Sequence, residues 1–360
     1  MSLDAHRAAT VRLGDKSYPV LVGDGLLPRL GEAINEYISD ATSCALVTSP
    51  QVGDLFGARA AAALKTMNPC KVIVPEGEEA KTWDAVGKLL GSLIKHGLDR
   101  RGVVVALGGG SVGDSAGFAA SIYMRGIRVV QVPTTLLGQV DSGIGGKTAV
   151  NHPAGKNLIG SFHQPSLVVC GTGLLSTLPV RELRSGLAEV AKYGVIADSA
   201  LYERVEADAG RLLSADAEAL HWVVARCVAA KARYVEADER DLGGVRAALN
   251  YGHTVGHAVE TLSGHTLRHG EAVAMGMIAA SRIAMHIGLL KEIEMERQIA
   301  LLETLSLPVE LPYGVDEVIP HMRRDKKAEH GKIRLVLPTG IGSEPVIRVI
   351  SEDDIREALA

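Results

Sequence analysis

Histidines concentrate in residues 246–271, which contain four of the twelve in the chain: His253, His257, His265 and His269. His253 and His257 are four residues apart, so on a helix they lie one turn apart on the same face. His269 opens a second helical segment. Two helices that meet at a corner, each offering an imidazole, can hold a divalent metal ion. The alternative is that these histidines cap helix ends or hydrogen-bond to neighbouring groups.

Glu189 and Lys192 form a second candidate group, because they are three residues apart on one predicted helical face. Such a pair is ordinarily a surface ion pair. Here the surrounding residues 187, 188, 190 and 191 are all apolar, so the sequence predicts a buried helix. A buried glutamate needs a partner, and a metal ion is one candidate.

A glycine turn follows a run of buried-strand character at residues 103–107. Gly108, Gly110 and Gly113 fit the spacing Gly-x-Gly-x-x-Gly and precede a small-residue helix. This arrangement lets the backbone approach a pyrophosphate, which then lies at the positive end of the helix. The turn therefore predicts phosphate binding, with a purely structural turn as the alternative.

The sequence departs from a conventional dinucleotide fold at the next strand, which ends in Thr134-Thr135 without the acidic residue that grips the ribose. Glu76 and Lys81, in a loop after an earlier strand, are candidates to serve the ribose and phosphate. A solvated charge cluster is the alternative for these two residues.

The segment 141–157 combines Asp141, Lys147, Asn151, Lys156 and Asn157 with several glycines. A loop this rich in glycine allows polar side chains to converge on a small anionic ligand. The glycine spacing before Lys147 does not fit the phosphate-binding loop of NTPases.

The elements that must position these residues alternate between strand and helix in the first half. Strands are predicted at 17–22, 44–48, 71–74, 103–107 and 129–132, with helices at 26–37, 52–67, 82–96 and 115–124. This alternation predicts an α/β, Rossmann-like domain with a mainly parallel, doubly wound sheet.

Beyond about residue 178 the helical pattern dominates. Helices are predicted at 182–196, 199–209, 215–235, 250–262, 271–287, 291–305 and 351–359, with a short strand at 334–337. We therefore predict two domains, an α/β domain over 1–178 and an all-α domain over 179–360.

Composition narrows the function classes. The 360 residues are 47% hydrophobic and 22% charged, which is typical of a globular protein with a sizeable core. The net charge of −4 gives no reason to expect nucleic acid or an anionic membrane as a partner. The four cysteines are widely separated, and no signal peptide or membrane span is visible, so a cytoplasmic protein is expected.

Taken together, these motifs resemble the 3-dehydroquinate synthases of the shikimate pathway. The resemblance spans about residues 40 to 340. It includes 108–114, 141–157, 186–194, 250–260, 269–277 and Asp325-Lys326-Lys327, in the family's order and spacing.

The resemblance implies Glu189, His253 and His269 as ligands of zinc or cobalt. It implies NAD contacts at Glu76, Gly77, Glu78, Glu79, Ala80, Lys81, Gly110, Ser111, Val112, Gly113, Asp114, Thr134, Thr135, Lys147, Lys156, Leu174, Leu175, Ser176 and Thr177. Around the substrate it implies Asp141, Lys147, Asn157, Lys192, Lys231, Arg246, Asn250, His257 and one or both of Lys326 and Lys327. Arg125 resembles the family arginine that reaches the neighbouring subunit of a homodimer.

The chemistry that the resemblance implies begins with 3-deoxy-D-arabino-heptulosonate 7-phosphate, a carboxylate-bearing sugar phosphate. Zinc would lower the pKa of its C5 alcohol so that a hydride passes to NAD. Phosphate is then eliminated, the hydride returns, the ring opens and an intramolecular aldol step closes the carbocycle. His257 and Lys192 are expected to shuttle protons from the alcohol.

Two departures from the family pattern lie near these residues. One extra residue is present between Lys231 and Arg246, and Asp241 stands where the family usually has glutamate. Arg268 precedes His269 where an apolar residue is commoner.

Four other functions fit these residues less well. A metal-dependent polyol or glycerol-phosphate dehydrogenase would not require as many anion-binding residues as Asn157, Arg246, Asn250 and the Lys326–Lys327 pair. A sister cyclase of another ketose phosphate is less compatible with Arg246 and Asn250, which favour a carboxylate-bearing substrate. A zinc peptidase would need a glutamate next to His253. A non-catalytic binding protein would not need both a nucleotide turn and a metal triad.

Overall fold

The computed structural model describes residues 2–242, 244–264, 266–323 and 333–360. In chain order its strands are β1 (Arg7–Val11), β2 (Tyr18–Gly23), β3 (Cys44–Thr48), β4 (Cys70–Ile73), β5 (Val103–Gly108), β6 (Arg128–Pro133), β7 (Lys147–His152), β8 (Gly155–Phe162), β9 (Leu167–Gly171), β10 (Ile333–Leu337) and β11 (Val346–Ile350).

The helices follow the same order. They are α1 (Leu30–Tyr37), α2 (Pro50–Val52), α3 (Ala58–Ala63), α4 (Trp83–Lys95), α5 (Gly110–Ile122), α6 (Val180–Ala197), α7 (Ser199–Leu213), α8 (Ala217–Ala237), α9 (His253–Leu262), α10 (His269–His286), α11 (Glu292–Thr304), α12 (Val315–Met322) and α13 (Glu352–Leu359). Among the described residues, no helix is both long and apolar enough to cross a membrane.

The chain divides into two compact units. The first unit comprises Met1–Leu178 and Leu220–Glu239, and the second comprises Pro179–Ala219 and Arg240–Ala360. One junction falls at residue 178, and residues 220–239, which the sequence places with the helical half, cluster with the first unit.

A seven-stranded sheet organises the first unit, in the order β1-β2-β9-β6-β5-β3-β4. β1 and β2 pair antiparallel, whereas the other neighbouring strands are parallel. Every residue of β3, β5 and β9 is buried, as expected for strands covered on both faces. The prediction of a mainly parallel α/β sheet is confirmed.

The glycine-rich segment 138–160 is not a single loop, and the loop prediction is wrong for its second part. Residues 147–162 form the antiparallel hairpin β7–β8. Glycine makes close pairing possible there, because a Cβ on Gly160 would lie 2.3 Å from the carbonyl oxygen of Thr148. A high glycine content indicates a loop, but in this segment glycine allows two strands to pair closely.

The second unit consists of helices α6, α7 and α9 to α13 together with the hairpin β10–β11. The all-α assignment of this half is therefore corrected by one two-stranded sheet, of which the sequence predicted β10 at 334–337 but not β11. Nearly every residue of α10 from Gly270 to Ala284 is buried, as expected for a helix that is apolar all round.

Several helix starts differ from the predicted ones, and two of these differences concern predicted functional residues. α5 begins at Gly110, five residues before the predicted start, because the glycine turn itself supplies its first turn. α9 begins at His253, since Val245–Asn250 forms a 3₁₀ helix and Gly252 has a φ of +78°. Both boundaries place a predicted functional residue at a helix N-terminus.

Candidate active site

Three side chains from three helices converge in the second unit. Glu189 lies in the middle of α6, whereas His253 and His269 are the first residues of α9 and α10. The Nε2 atoms of His253 and His269 lie 3.6 Å and 3.5 Å from Oε1 of Glu189. One potential ligand atom from each residue lies within 4.8 Å of the other two. We call Glu189, His253 and His269 the carboxylate–imidazole cluster.

Lys192 accompanies the cluster as a buried cation. Its Nζ lies 2.5 Å from Oε2 of Glu189 and donates a hydrogen bond to the carbonyl oxygen of Leu249 at 2.8 Å. The side chains of Lys192 and Glu189 are 1% and 0% exposed, so the surface ion pair considered as an alternative does not describe this pair. A buried carboxylate is costly unless cations accompany it, which makes the site suited to a metal ion.

The surroundings of the cluster shift the pKa values of its two histidines in opposite directions. Burial, followed by the nearby charge of Lys192, holds the pKa of His253 well below its usual value. Burial also lowers the pKa of His269, but hydrogen bonds that its ring donates to the carboxylates of Glu189 and Glu260 outweigh that effect and raise the pKa to about 9.

Each histidine of the cluster is oriented through its Nδ1 atom. Nδ1 of His253 lies 3.0 Å from the carbonyl oxygen of Tyr251, and Nδ1 of His269 lies 3.5 Å from Oε2 of Glu260. These contacts leave the Nε2 atoms directed toward Glu189. Outer partners of this kind fix the ring orientation of metal-binding histidines.

His257 stands beside the cluster on the same helix as His253. Its ring centroid lies 5.3 Å from that of His253 and 6.1 Å from that of His269. Unlike His253, His257 is exposed to solvent. Its position allows proton exchange between the cluster and water.

The glycine turn of the first unit connects β5 to α5. Gly109 is the N-cap and provides no side-chain cap, and the first helical N–H groups have no acceptor within the helix. Packing also requires glycine here, because a Cβ on Gly113 would lie 2.7 Å from Oε1 of Gln131 and one on Gly110 would lie 2.9 Å from Oγ of Ser142. The structural and phosphate-binding interpretations of these glycines are therefore compatible.

Lys81 is buried beside the glycine turn. Its Nζ donates to Oδ2 of Asp114 at 2.6 Å and to Oδ1 of Asn157 at 2.5 Å. Burial raises the pKa of Asp114, although the charge of Lys81 opposes that shift. The alternative of a solvated charge cluster is wrong for Lys81. Glu76, in contrast, is exposed and accepts from the backbone N–H of Gln51 at 2.6 Å.

Glu78 links the glycine turn to the hairpin β7–β8. Its carboxylate lies 3.3 Å from Oγ of Ser111 and 2.7 Å from Nδ2 of Asn151. Oδ1 of Asn151 in turn accepts from the backbone N–H of Asn157 at 3.0 Å. The structure therefore brings together several residues of three separate predicted motifs.

Lys231, on α8, forms a second buried ion pair in the first unit. Its Nζ donates to Oδ1 of Asp141 and, at 2.7 Å, to the carbonyl oxygen of the same residue. Lys231 is 5% exposed, whereas Asp141 is partly exposed. The pairing fixes both side chains before any ligand arrives.

The remaining predicted residues occupy varied environments. Lys147, Lys156, Gly77, Glu79, Arg125, Ser176 and Thr177 are exposed, Thr135 and Asn250 are partly buried, and Ala80, Val112, Thr134 and Arg246 are buried. Leu174 and Leu175 are also buried, so only their backbone can reach a cofactor. Lys326 and Lys327, together with His265, lie outside the described residues.

Arg268 and Asp241, the two residues whose types depart from the family pattern, both lie among the described residues. The Arg268 guanidinium pairs with Oε1 of Glu182 at 2.8 Å and thereby links the residue before His269 to the first turn of α6. Asp241 adopts a left-handed backbone conformation with a φ of +54°. The extra residue in that segment falls at or next to Gly243, which lies outside the described residues.

Sequence reasoning missed Glu260 and Tyr251 as partners of the cluster. Glu260 follows His253 by seven residues and His257 by three, so the helical period places all three on one face. That spacing is a signal that identifies Glu260. The contact made by Tyr251 uses a backbone carbonyl and has no sequence signal.

Solved structures identify the fold to which this arrangement belongs. ValA (2-epi-5-epi-valiolone synthase) from Streptomyces hygroscopicus subsp. jinggangensis 5008, solved with NAD+ and Zn2+ bound, has a TM-score of 0.86 and 32% identity over 97% of each chain. A 2-deoxy-scyllo-inosose synthase, complexed with carbaglucose-6-phosphate, NAD+ and Co2+, has a TM-score of 0.86 and 28% identity over 98% of each chain. The sheet, the glycine turn and the carboxylate–imidazole cluster thus define a protein of the sugar-phosphate cyclase fold.

Sequence comparison narrows this class to one family. Models of the 3-dehydroquinate synthase N-terminal and C-terminal regions match residues 71–185 and 186–328. The 3-dehydroquinate synthase of Pelobacter propionicus is 48% identical over 349 residues, covering 95% of this chain and 96% of its own. The chain therefore belongs to the 3-dehydroquinate synthase family and is an enzyme of the lyase class.

Proposed function

We propose that the protein converts 3-deoxy-D-arabino-heptulosonate 7-phosphate into 3-dehydroquinate and phosphate, as its family name implies. The observation that carries this proposal is the buried carboxylate–imidazole cluster, with Lys192 and His257 beside it, in a chain of this family. The conversion involves no net oxidation, so NAD would be reused within each turnover.

Glu189, His253 and His269 would hold the metal ion, zinc or cobalt. One carboxylate and two imidazoles form the donor set of catalytic zinc sites that keep a position open. The fit is supported by the orientation of both Nε2 atoms toward Glu189. When bound, the metal lowers the pKa of a coordinated hydroxyl, and NAD accepts and returns a hydride.

The first unit would hold NAD at the C-terminal ends of its parallel strands. The N-terminus of α5 suits the pyrophosphate, because its backbone N–H groups point outward from a turn without a side-chain cap. The hydroxyls of Thr48, the last residue of β3, and Thr172, which follows β9, are buried and have no hydrogen-bond partner among the described residues. A bound polar molecule would satisfy them. We assign NAD contacts to the loop at 76–81 and to the other positions at which the family resemblance implies NAD contacts.

The substrate carries a carboxylate and a phosphate, so a net-acidic protein must place cations locally. In the first unit we assign this role to Lys147 and to Lys231 with its partner Asp141, and we assign Asn157 as a polar contact. In the second unit we propose that Lys192, Arg246, Asn250 and His257 contact the substrate. One or both of Lys326 and Lys327 are also proposed to bind substrate.

Lys192 and His257 would move the proton of the substrate alcohol. Lys192 is fixed by Glu189 and by the carbonyl of Leu249, so its ammonium position is defined before substrate binds. His257 is exposed and can return the proton to water. The substrate's own phosphate would assist its elimination.

We also propose a division of labour between the two domains predicted from the sequence. We assign NAD to the 1–178 domain and the metal and substrate to the 179–360 domain, with a cytoplasmic location. We also propose a homodimer in which Arg125 reaches the neighbouring site. Arg125 is exposed, has a φ of +68°, and follows the exposed apolar residues Ile122 and Met124, which line an open hollow of ≈ 480 Å³.

A mixing experiment tests the shared site. Arg125→Ala and Lys192→Ala homodimers should each be inactive, because every site lacks one residue. After subunit exchange, half of the dimers are mixed and each has one complete site, so about one quarter of wild-type activity should return. A mixture that stays inactive although mass measurements show mixed dimers would contradict the role of Arg125 across the interface.

The proposed reaction is tested by product analysis. Protein freed of metal with a chelator should form no 3-dehydroquinate from the heptulosonate phosphate, and added zinc should restore its formation in the presence of NAD. NMR of the reaction mixture identifies the product directly. A zinc-loaded protein that consumes the substrate but forms another carbocycle would exclude the proposed function.

A further inference from the structure

Tyr251 lies two residues before His253 and has a fully buried side chain. Its hydroxyl oxygen lies 2.6 Å from Oε1 of Gln298, 2.8 Å from Oγ of Ser281 and 3.1 Å from the carbonyl oxygen of Met277. A phenol has one proton to donate and can also accept; its shortest contact is with the acceptor Oε1 of Gln298, and the Ser281 hydroxyl can serve as donor or acceptor beside it. The side chain is thereby fastened to α10 and α11.

The backbone of the same residue contacts the carboxylate–imidazole cluster. The carbonyl oxygen of Tyr251 accepts from Nδ1 of His253 at 3.0 Å. This contact makes Nδ1 the protonated nitrogen and leaves Nε2, 3.6 Å from Oε1 of Glu189, with a lone pair. The position of one carbonyl therefore selects the tautomer that a metal ion requires.

The peptide between Tyr251 and Gly252 has little freedom to turn. Gly252 has a φ of +78°, and a Cβ there would lie 2.7 Å from Cγ of Met277 and 2.9 Å from the carbonyl oxygen of Val273. A Cβ on Gly276 would lie 1.9 Å from the carbonyl oxygen of Gly252. Close packing against α10 holds one end of this peptide, and the anchored phenol holds the other.

We propose that Tyr251 is a positioning residue for the metal site, acting through its own carbonyl on His253. This inference rests on the proposed role of His253 as a metal ligand. The hydrogen bonds with Ser281 and Gln298 fix the side chain of Tyr251, and this fixes the position of its backbone carbonyl. That carbonyl in turn orients the imidazole of His253. Loss of the hydroxyl should weaken metal binding without removing any ligand.

The test compares Tyr251→Phe with Tyr202→Phe. Tyr202 is also buried in the second unit, and its hydroxyl donates to the carbonyl oxygen of Arg297 at 3.0 Å, one residue from Gln298. Both variants lose one buried hydroxyl, but no contact described for Tyr202 reaches a histidine of the cluster. The measurements are the melting temperature of the metal-free proteins, zinc affinity by competition with a chromophoric chelator, and the visible spectrum with Co2+.

We expect both variants to melt at lower temperature, whereas only Tyr251→Phe should bind zinc more weakly, by about 10- to 100-fold. Its Co2+ spectrum should also differ from that of the wild type. If Tyr251→Phe does not fold, Gln298→Met, which removes the acceptor of the phenol, should weaken zinc binding in the same direction.

The possible failures are distinguishable. A wild-type protein that binds no stoichiometric zinc would remove the proposed metal site and the inference with it. A wild type that binds zinc while Tyr251→Phe binds equally well would overturn the inference alone. An equal loss of affinity in Tyr202→Phe would also overturn it, because the effect would then be general destabilisation.

Discussion

His257 has the most direct route to water among the three imidazoles of this region. It is exposed, whereas His253 is buried and His269 is partly covered. The ligand atoms of Glu189, His253 and His269 already approach one another without it. The geometry is therefore compatible with the proposal that His257 exchanges protons while Glu189, His253 and His269 bind the metal ion.

Replacement of His257 tests this separation. We expect His257→Ala to retain wild-type metal content while turnover falls by about 10²- to 10⁴-fold, the usual contribution of a general acid–base group. Metal analysis and phosphate release from the same preparation provide the two readouts. His286→Ala is the matched control, because His286 is a partly exposed histidine at the end of α10 that pairs with Glu357. Near-normal turnover with normal metal content in His257→Ala would contradict its assignment.

For individual residues, the sequence predicted which side chains belong to the candidate site better than it predicted which of them touch. The four-residue spacing places His253 and His257 on one helical face, but it cannot show that His269 and Glu189 come from other helices to meet them. The resemblance to the family supplied that connection, and their roles as ligands stay a prediction. Tyr251 had no signal, because a backbone carbonyl is present at every residue.

Helices α6 and α10 carry Glu189 and His269, and their approach depends on one glycine. A Cβ on Gly270 would lie 2.0 Å from the carbonyl oxygen of Ser185, and the N–H of Gly270 donates to Oγ of Ser185 at 2.9 Å. Ser185 precedes Glu189 by one helical turn, and Gly270 follows His269 directly. This contact therefore sets the separation of two members of the carboxylate–imidazole cluster.

A substitution at this crossing should affect stability and metal binding together. We expect Gly270→Ala to lower the free energy of unfolding by about 1–3 kcal/mol, because overpacking moves backbone against backbone, and to weaken zinc binding. Chemical denaturation and chelator competition measure these effects.

Gly210→Ala on α7 is the control for that experiment, since a Cβ there meets nothing within 4 Å. It should raise stability by about 0.4–1 kcal/mol by restricting the unfolded chain. Gly270→Ala protein that keeps both wild-type stability and zinc affinity would show that the crossing can relax.

The elements with regular hydrophobic periods were predictable, and those built on glycine were not. The strands at 44–48 and 103–107 are apolar runs, the first closed by Thr48, and they appear at the predicted positions. The hairpin β7–β8 was missed because glycine and polar residues interrupt its alternation. The early start of α5 was missed because glycine is a poor helix former that here satisfies a packing requirement.

Across the whole molecule, burial makes the cysteines unreactive. Cys44, Cys170 and Cys227 are buried thiols, and Cys70 is partly buried. Burial raises the pKa of Cys44 to about 12 and also raises the pKa values of Cys70 and Cys170. Since the thiolate is the reactive form, these thiols should react slowly at neutral pH.

Thiol titration checks this expectation for the intact protein. A chromogenic disulfide reagent should label Cys44, Cys170 and Cys227 only at the rate of unfolding, with Cys70 as the fastest of the four. All four should react at once in denaturant. Mass spectrometry of the labelled protein assigns the positions, and rapid native labelling of Cys44 or Cys170 would contradict the buried arrangement of their strands.

The predicted alternation of strands and helices was sufficient to identify a parallel sheet, but it did not identify every strand of that sheet. β1 and β9 were missed, although β9 lies between β2 and β6 near the centre of the sheet. β9 is five residues long and follows the glycine-rich segment closely, so a single-sequence pattern gives it little context.

The proposed function requires an internal redox cycle in which phosphate is eliminated between oxidation of the substrate and return of the hydride. The most direct test incubates the purified protein with 3-deoxy-D-arabino-heptulosonate 7-phosphate, zinc and trace NAD, and follows released phosphate and NADH absorbance together. We predict phosphate release over many turnovers with no net accumulation of NADH. Absence of phosphate release, with NADH accumulating when polyols are supplied, would contradict the account and indicate a dehydrogenase.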